Sequence, residues 1–240
     1  MQSIGAAFAL SAGMTAETLL SFARANDLMF SLEDEIRYAS RTDACVMLTG
    51  ESGVGKRGAA DMIHQMSHRR SAPFVVVNAA DALHPAARAA ASNGTLLIQE
   101  IENLKPAAQL QLLGVVDRKA LDGHDVRIMT ATSSNLFGRV QAGRFREDLF
   151  YRLNIIHFVI QPLRERPDDI PLMFQHYLAM HARTRAPRLS SAACRRLVEY
   201  PWPGNVTELK TITQQLGAQE LPEVIEPEHL PGPIGRHTSF

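Results

Sequence analysis

Cysteine is nearly absent from this chain of 240 residues: Cys45 and Cys194 are the only two. Two cysteines cannot build a disulfide framework, and these show no metal-ligand spacing. Both read as small buried apolar side chains in a reducing compartment. An excess of charge is also missing, with 25 Lys and Arg against 25 Asp and Glu. That balance removes any bulk electrostatic pull towards nucleic acid or an anionic membrane, so a partner has to be argued from sites. Long apolar runs are lacking too. No stretch reaches membrane-spanning length, and the apolar segment Met1 to Met14 has no Lys or Arg before it, unlike a secretory leader. The expectation is a cytoplasmic protein with no membrane association. What is present is a globular composition, 45% hydrophobic and 21% charged, in a chain long enough for one large domain or a domain with a small appendage.

Residues 1–25 are rich in Ala, Ser and Gly and lead into a helical pattern over Thr15 to Ala25, read as a linker or docking helix. A second helical pattern, Leu28 to Ala39, precedes the first strand, Cys45 to Thr49. Further strands are expected at Phe74 to Val77, Thr95 to Ile98, Val126 to Thr130 and Ile155 to Ile160, with helical segments between most of them. Such alternation predicts an α/β domain over residues 26–163, a parallel sheet flanked by helices. After Gln161-Pro162-Leu163, prolines punctuate three helical patterns, near Ile170 to Arg183, Ser190 to Tyr200 and Asn205 to Leu216, with no strand-like run among them. Residues 164–220 are therefore expected to form a small all-helical lid. The stretch 221–240 holds Pro222, Pro227, Pro231 and Pro233 and is expected to be a loose tail, with no room for a helix-turn-helix DNA-binding module.

Gly50-Glu51-Ser52-Gly53-Val54-Gly55-Lys56 lies between a strand and a helical pattern, the context a phosphate-binding loop requires. Its glycines let backbone N–H groups converge on phosphate oxygens, the helix start adds its dipole, and Lys56 adds a mobile charge. The bland alternative is a glycine turn beside an exposed lysine. Arg57 stands where many such loops carry a Ser or Thr that helps hold Mg²⁺. Gly94 to Glu100 has the form of the second nucleotide strand, an apolar run ending in Gln99 and Glu100. In P-loop enzymes an acid at the first of these positions helps hold the metal and the next one polarises the attacking water. Gln99 is neutral and a poor Mg²⁺ partner, whereas Glu100 keeps the base. Read alone, the run is a common buried strand with two polar residues at its end.

The P-loop, the Gly94 to Glu100 strand, Phe145 to Asn154, Pro162 to Arg166, and Trp202-Pro203-Gly204-Asn205-Val206 follow one another as in a known family. Over about residues 26–232 the chain resembles the AAA+ domain of sigma-54-dependent transcription activators, the bacterial enhancer-binding proteins. The resemblance implies that ATP or ADP binds at Gly50, Glu51, Ser52, Gly53, Val54, Gly55, Lys56 and Arg57, with Mg²⁺ weakly held and no dedicated metal-ligand set. It implies that Arg146 and Arg152 reach a neighbouring subunit's γ-phosphate, their ordinary alternative being ion pairs with Glu147 or Asp148. It makes Asn78 the residue that restrains the catalytic Glu100.

Four departures stand beside these matches. Gln99 replaces the metal-holding acid, Ser133 stands where the family has Asn, and Thr207 where it has a phosphate-reading arginine. The interval of fifteen residues from Ala79 to Asn93 leaves no space for the GAFTGA loop that engages sigma-54. The expected function is an ATP-binding AAA+ regulator domain, impaired in hydrolysis and unable to remodel sigma-54 polymerase alone. It would act by assembling with itself or another AAA+ activator subunit, without a stable sigma-54 complex. The alternative is a slow but genuine ATPase working on a different protein partner.

Overall fold

The computed structural model describes residues 35–118, 120–121, 124–182 and 187–235. The expected helix at Thr15 to Ala25 lies outside them, as do Arg183 and residues 28–34 of the Leu28 to Ala39 pattern, whereas residues 35–40 are helical. The strands in chain order are β1 (Val46–Thr49), β2 (Phe74–Asn78), β3 (Thr95–Gln99), β4 (Ala120–Leu121), β5 (His124–Asp125), β6 (Arg127–Thr132) and β7 (Ile156–Val159), with β8 (Arg188–Leu189) and β9 (Val224–Ile225) in the lid. Five of them form one parallel sheet in the order β2-β3-β6-β1-β7. β4 and β5 pair separately as a minimal antiparallel hairpin.

Because both faces of this sheet are covered, its inner strands are apolar nearly throughout, and alternation sorts their side chains between two cores. Val46, Leu48, Leu97, Met129 and Phe158 face one side, against Ala59, Ala60, Met62 and Ile63 of the helix Lys56–Gln65. Met47, Leu96, Ile98 and Ile128 face the other, with Leu112, Leu149 and Leu153. The amino-terminal edge is closed by charge. Arg69, only 6% exposed, donates to both carboxylate oxygens of Asp43 (3.0 and 2.9 Å) and to Asp125 (2.7 Å). The bond from Arg69 holds the Asp43 carboxyl below its ordinary value.

The carboxyl-terminal edge carries the site, as expected for an open parallel sheet. Register aligns it: Asn78 is opposite Gln99, Gln99 opposite Ala131, and Thr49 opposite both Thr132 and Val159.

The lid packs the helices Asp169–His181, Ser191–Glu199 and Asn205–Gly217 around Phe174, Leu178, Leu197, Trp202 and Leu209. The Trp202 indole is fully buried and donates to Leu197 O at 2.7 Å. Two expectations need correction here. The lid is helical except for one short parallel pair, β8 with β9, which is too brief to leave a period-two pattern. The stretch from Leu221, expected to be loose, is packed as far as residue 235. Ile225, Leu230 and Ile234 are each at most 5% exposed in the lid core, and a capping box between Glu226 and His229 shapes the turn between the first two. Its prolines mark turns between buried anchors rather than an unstructured end. Among the described residues no helix is long and apolar enough to cross a membrane.

Candidate functional site

β1 ends at Thr49, and the chain then turns through Gly50 and Gly53 into the helix that begins at Lys56. Both glycines have positive φ, 150° and 79°, and neither has room for a side chain. A Cβ on Gly50 would lie 2.5 Å from Ile160 O, and one on Gly53 would lie 2.4 Å from Gly204 O. Glycine is thus required by conformation and by close backbone approach. Gly50 and Ser133 leave the sheet side by side because Thr49 and Thr132 are in register. That adjacency lets Lys56 Nζ donate to Gly50 O (2.7 Å), Glu51 O (2.8 Å) and Ser133 Oγ (2.8 Å). All three ammonium hydrogens are committed, so a phosphate would have to replace these acceptors. Burial lowers the Lys56 pKa, and the charge of nearby Glu102 opposes that shift.

The lid is fastened to this loop. Asn205, fully buried, accepts from Leu163 N at 2.8 Å and donates to Ser52 O at 3.0 Å and to Glu51 Oε2 at 3.2 Å. Arg164 grips both carboxylate oxygens of Glu51, and Arg166 donates to Val54 O at 3.1 Å. The Arg164 bonds, then the Asn205 bond, hold the Glu51 carboxyl down at about 2. Thr207 N donates to Gly53 O at 3.3 Å, which puts the Thr207 side chain at the mouth of the loop without a charge to offer.

Gln99 ends β3, and Glu100 follows it in the left-handed region with φ 53°. The Glu100 carboxylate is exposed and accepts from Asn103 Nδ2 at 3.3 Å. Asn78 lies at the same edge, paired in register with Gln99, and among the described residues it makes no hydrogen bond to Glu100. The side chain bonded to the Glu100 carboxylate is thus that of Asn103. Arg146 and Arg152 belong to a different surface, at the start and last turn of the helix Glu147–Leu153. Arg146 pairs with Asp148 (3.0 and 2.6 Å), and Arg152 pairs with Asp117 (2.9 Å). All four side chains are between 42% and 61% exposed, so both arginines are parked on their own chain's acids.

Sequence reasoning missed Asn103, Glu102 and the work of Arg166 and Asn205. Asn205 stood inside a quoted motif, but only the fold reveals that its amide spans two subdomains.

A phosphate-loop turn, a strand ending in Gln99-Glu100 and a lid clasped onto the loop coincide with two family models. The Sigma-54 interaction domain model matches residues 24–163, and the AAA+ ATPase lid domain model matches residues 164–239. The chain belongs to the sigma-54 interaction domain family. Among members, it is 37% identical over 216 residues to the transcriptional regulatory protein XylR of Pseudomonas putida, covering 76% of this chain and 38% of XylR. It is 34% identical over 223 residues to the C4-dicarboxylate transport transcriptional regulatory protein DctD of Rhizobium meliloti, covering 79% of this chain and 48% of DctD. The chain therefore spans less than half the length of each of these two relatives. NtrX of Brucella abortus, solved in complex with ADP, superimposes with a TM-score of 0.76 at 28% identity, over 88% of this chain and 55% of NtrX. The same protein in complex with ATP gives 0.75. The parallel sheet with its lid is thus the fold of this family.

Proposed function

We propose that this chain is a nucleotide-binding AAA+ regulator domain that holds ATP or ADP at Gly50 to Arg57, hydrolyses it poorly, and acts by assembling with AAA+ subunits. The observation that carries the reading is the loop itself: two glycines that exclude any side chain, a helix start, and the Lys56 ammonium held at the loop mouth beneath the lid. The donor set suits phosphate oxygens. NtrX, a structural relative, accepts both ADP and ATP.

Weak hydrolysis follows from three positions. Gln99 has a neutral amide, the Ser133 hydroxyl is short and already engaged by Lys56, and Thr207 lacks a positive charge. Contacts to a developing phosphoryl charge are typically worth about 2.7–4 kcal/mol each, so losing several slows turnover by orders of magnitude while binding persists. The exposed Arg146 and Arg152 support assembly, since neither serves its own chain's loop. The crossover from β2 to β3 consists of a 3-10 turn, Ala79–Asp81, and a six-residue helix, Pro85–Ala90, which supports the absence of a projecting sigma-54 finger. A cytoplasmic location is part of the same proposal.

Calorimetry with ADP and ATP tests the binding half, and mass measurement with and without nucleotide tests assembly. In reconstituted sigma-54 transcription, the chain alone should give no open complexes, and in excess it should alter the output of an intact activator. Open complexes made by this chain alone would refute the regulator reading. The slow-ATPase alternative is favoured by one observation, the exposed Glu100 carboxylate at the edge of β3, and turnover without any activator present would support it.

A further inference from the structure

Glu102 is a carboxylate that the reading so far leaves unused. It lies in the 3-10 turn Ile101–Asn103 just beyond β3 and is 8% exposed. Its Oε1 accepts from Ser134 Oγ at 3.1 Å, while Oε2 is buried without any hydrogen-bond partner. Ser134 is itself fixed, because its backbone N donates to Thr132 Oγ1 at 3.0 Å, and Arg139 holds the Glu102 carbonyl at 3.1 Å. The carboxylate is therefore locked to the end of β6, next to the Ser133 hydroxyl that receives Lys56. Lys56 is close enough for the two charges to interact but spends its three hydrogens on other acceptors, so the free oxygen of Glu102 keeps no hydrogen bond.

A buried carboxylate with an orphaned oxygen is destabilising unless something compensates it. A bound phosphate chain would repel it further. A divalent cation between carboxylate and phosphate removes both penalties, and the hydroxyls of Ser134, bonded to Glu102, and of Ser133, bonded to Lys56, are oxygen ligands a hard cation takes. Among the described residues no three acidic, His or Cys side chains cluster. A nucleotide-borne Mg²⁺ does not need such a cage, since phosphates and waters fill most of its shell. Gln99 has no charge to contribute, and the Glu100 carboxylate is exposed and bonded to Asn103.

We propose that Glu102, in place of Gln99, supplies the carboxylate that holds the divalent cation of a bound nucleotide in this chain. The inference rests on the nucleotide reading above and deepens it. The test uses the full chain saturated with ADP and follows free Mn²⁺ by electron paramagnetic resonance, with ADP affinity measured separately by calorimetry in EDTA. Glu102→Gln, which preserves size and a bond to Ser134, should weaken Mn²⁺ binding by about tenfold or more while leaving metal-free ADP affinity unchanged or tighter. Gln99→Asp in the Glu102→Gln background should recover Mn²⁺ affinity. Equal Mn²⁺ affinity in wild type and Glu102→Gln overturns the assignment. If that variant does not fold, wild-type protein decides: Mn²⁺ bound no more tightly by the ADP complex than by free ADP overturns it equally. Wild type that binds no ADP in EDTA or with Mn²⁺ overturns the nucleotide reading itself, a distinguishable failure.

Discussion

Replacing Asn205 by Ala should loosen the lid from the phosphate loop, and the structure sets the size of the effect. Asn205 is fully buried and has a φ of 51°, a conformation asparagine tolerates better than alanine. Truncation strands the Leu163 N–H, which now donates to Asn205 Oδ1 at 2.8 Å in a fully buried setting. A buried donor left unpaired costs about 1–3 kcal/mol. Loss of the 3.0 Å bond to Ser52 O adds about 1 kcal/mol, and left-handed backbone on alanine adds about 1 kcal/mol more. The expected total is about 3–5 kcal/mol, a large share of the roughly 5–15 kcal/mol available to a typical domain.

Asn205→Gly removes the backbone part of about 1 kcal/mol but gains about 0.4–1 kcal/mol of flexibility when unfolded, so it should be at least as stable as Asn205→Ala. Urea unfolding followed through Trp202, the only tryptophan and fully buried in the lid core, reads this directly. ADP affinity should fall with it, since Ser52 and Gly53 lose their fixed positions. An Asn205→Ala midpoint within about 0.5 kcal/mol of wild type, the range of ordinary surface changes, would refute the clasp. A glycine variant less stable than the alanine one by more than about 0.5 kcal/mol would refute the backbone share.

Lys56→Ala should weaken ADP and ATP at least tenfold, a loss of about 1.4 kcal/mol or more; equal affinity by calorimetry would count against a phosphate role. Gln99→Asp should raise steady-state turnover, more so with Thr207→Arg; no gain from the double variant would place the limit elsewhere, in the interface or the shortened crossover. Asp43→Asn should lower the thermal midpoint at pH 7 and remove an acid-sensitive component. Because Arg69 depresses the Asp43 pKa from 3.8, its contribution is complete above that value and lost as pH falls through the lower folded value. The gap between wild type and variant should therefore narrow below pH 3.8, and a gap that stays constant down to pH 3 would show that the ion pair is not its source.

Strand positions in the sheet were legible to within two residues because both faces are covered and the apolar runs are unbroken. Val126 to Thr130 against β6 at Arg127–Thr132 shows the usual error at an end. What sequence hid was of two kinds. Contacts between segments far apart in the chain, such as Asn205 with Ser52 or Lys56 with Ser133, leave no local period to read. Residues defined by a missing partner are equally silent, since the orphaned oxygen of Glu102 exists only once the chain has buried it. The tail misled for a related reason. Prolines near Ile225, Leu230 and Ile234 look like punctuation of a disordered end, yet each anchor is held by side chains more than ten residues earlier in the chain.

The parked state of Arg146 and Arg152 bears on the assembly proposal. Both arginines rest on acids of their own helix or its neighbour, in pairs open to solvent. Exposed ion pairs of this kind contribute little to stability, since water and salt screen them and two long side chains lose freedom in forming them. A phosphate group in a closed interface offers a guanidinium two parallel charge-assisted bonds away from bulk water. Under the assembly proposal, the local acids would act as a weak resting place that a neighbour's nucleotide outcompetes. If assembly works in this way, Asp148→Ala should favour it by freeing Arg146, and mass measurement at fixed ADP concentration should show a shift to larger species. A shift to smaller species would mean that the Arg146–Asp148 pair shapes the interface itself, and that the arginine does not need to leave its acid to serve a neighbour.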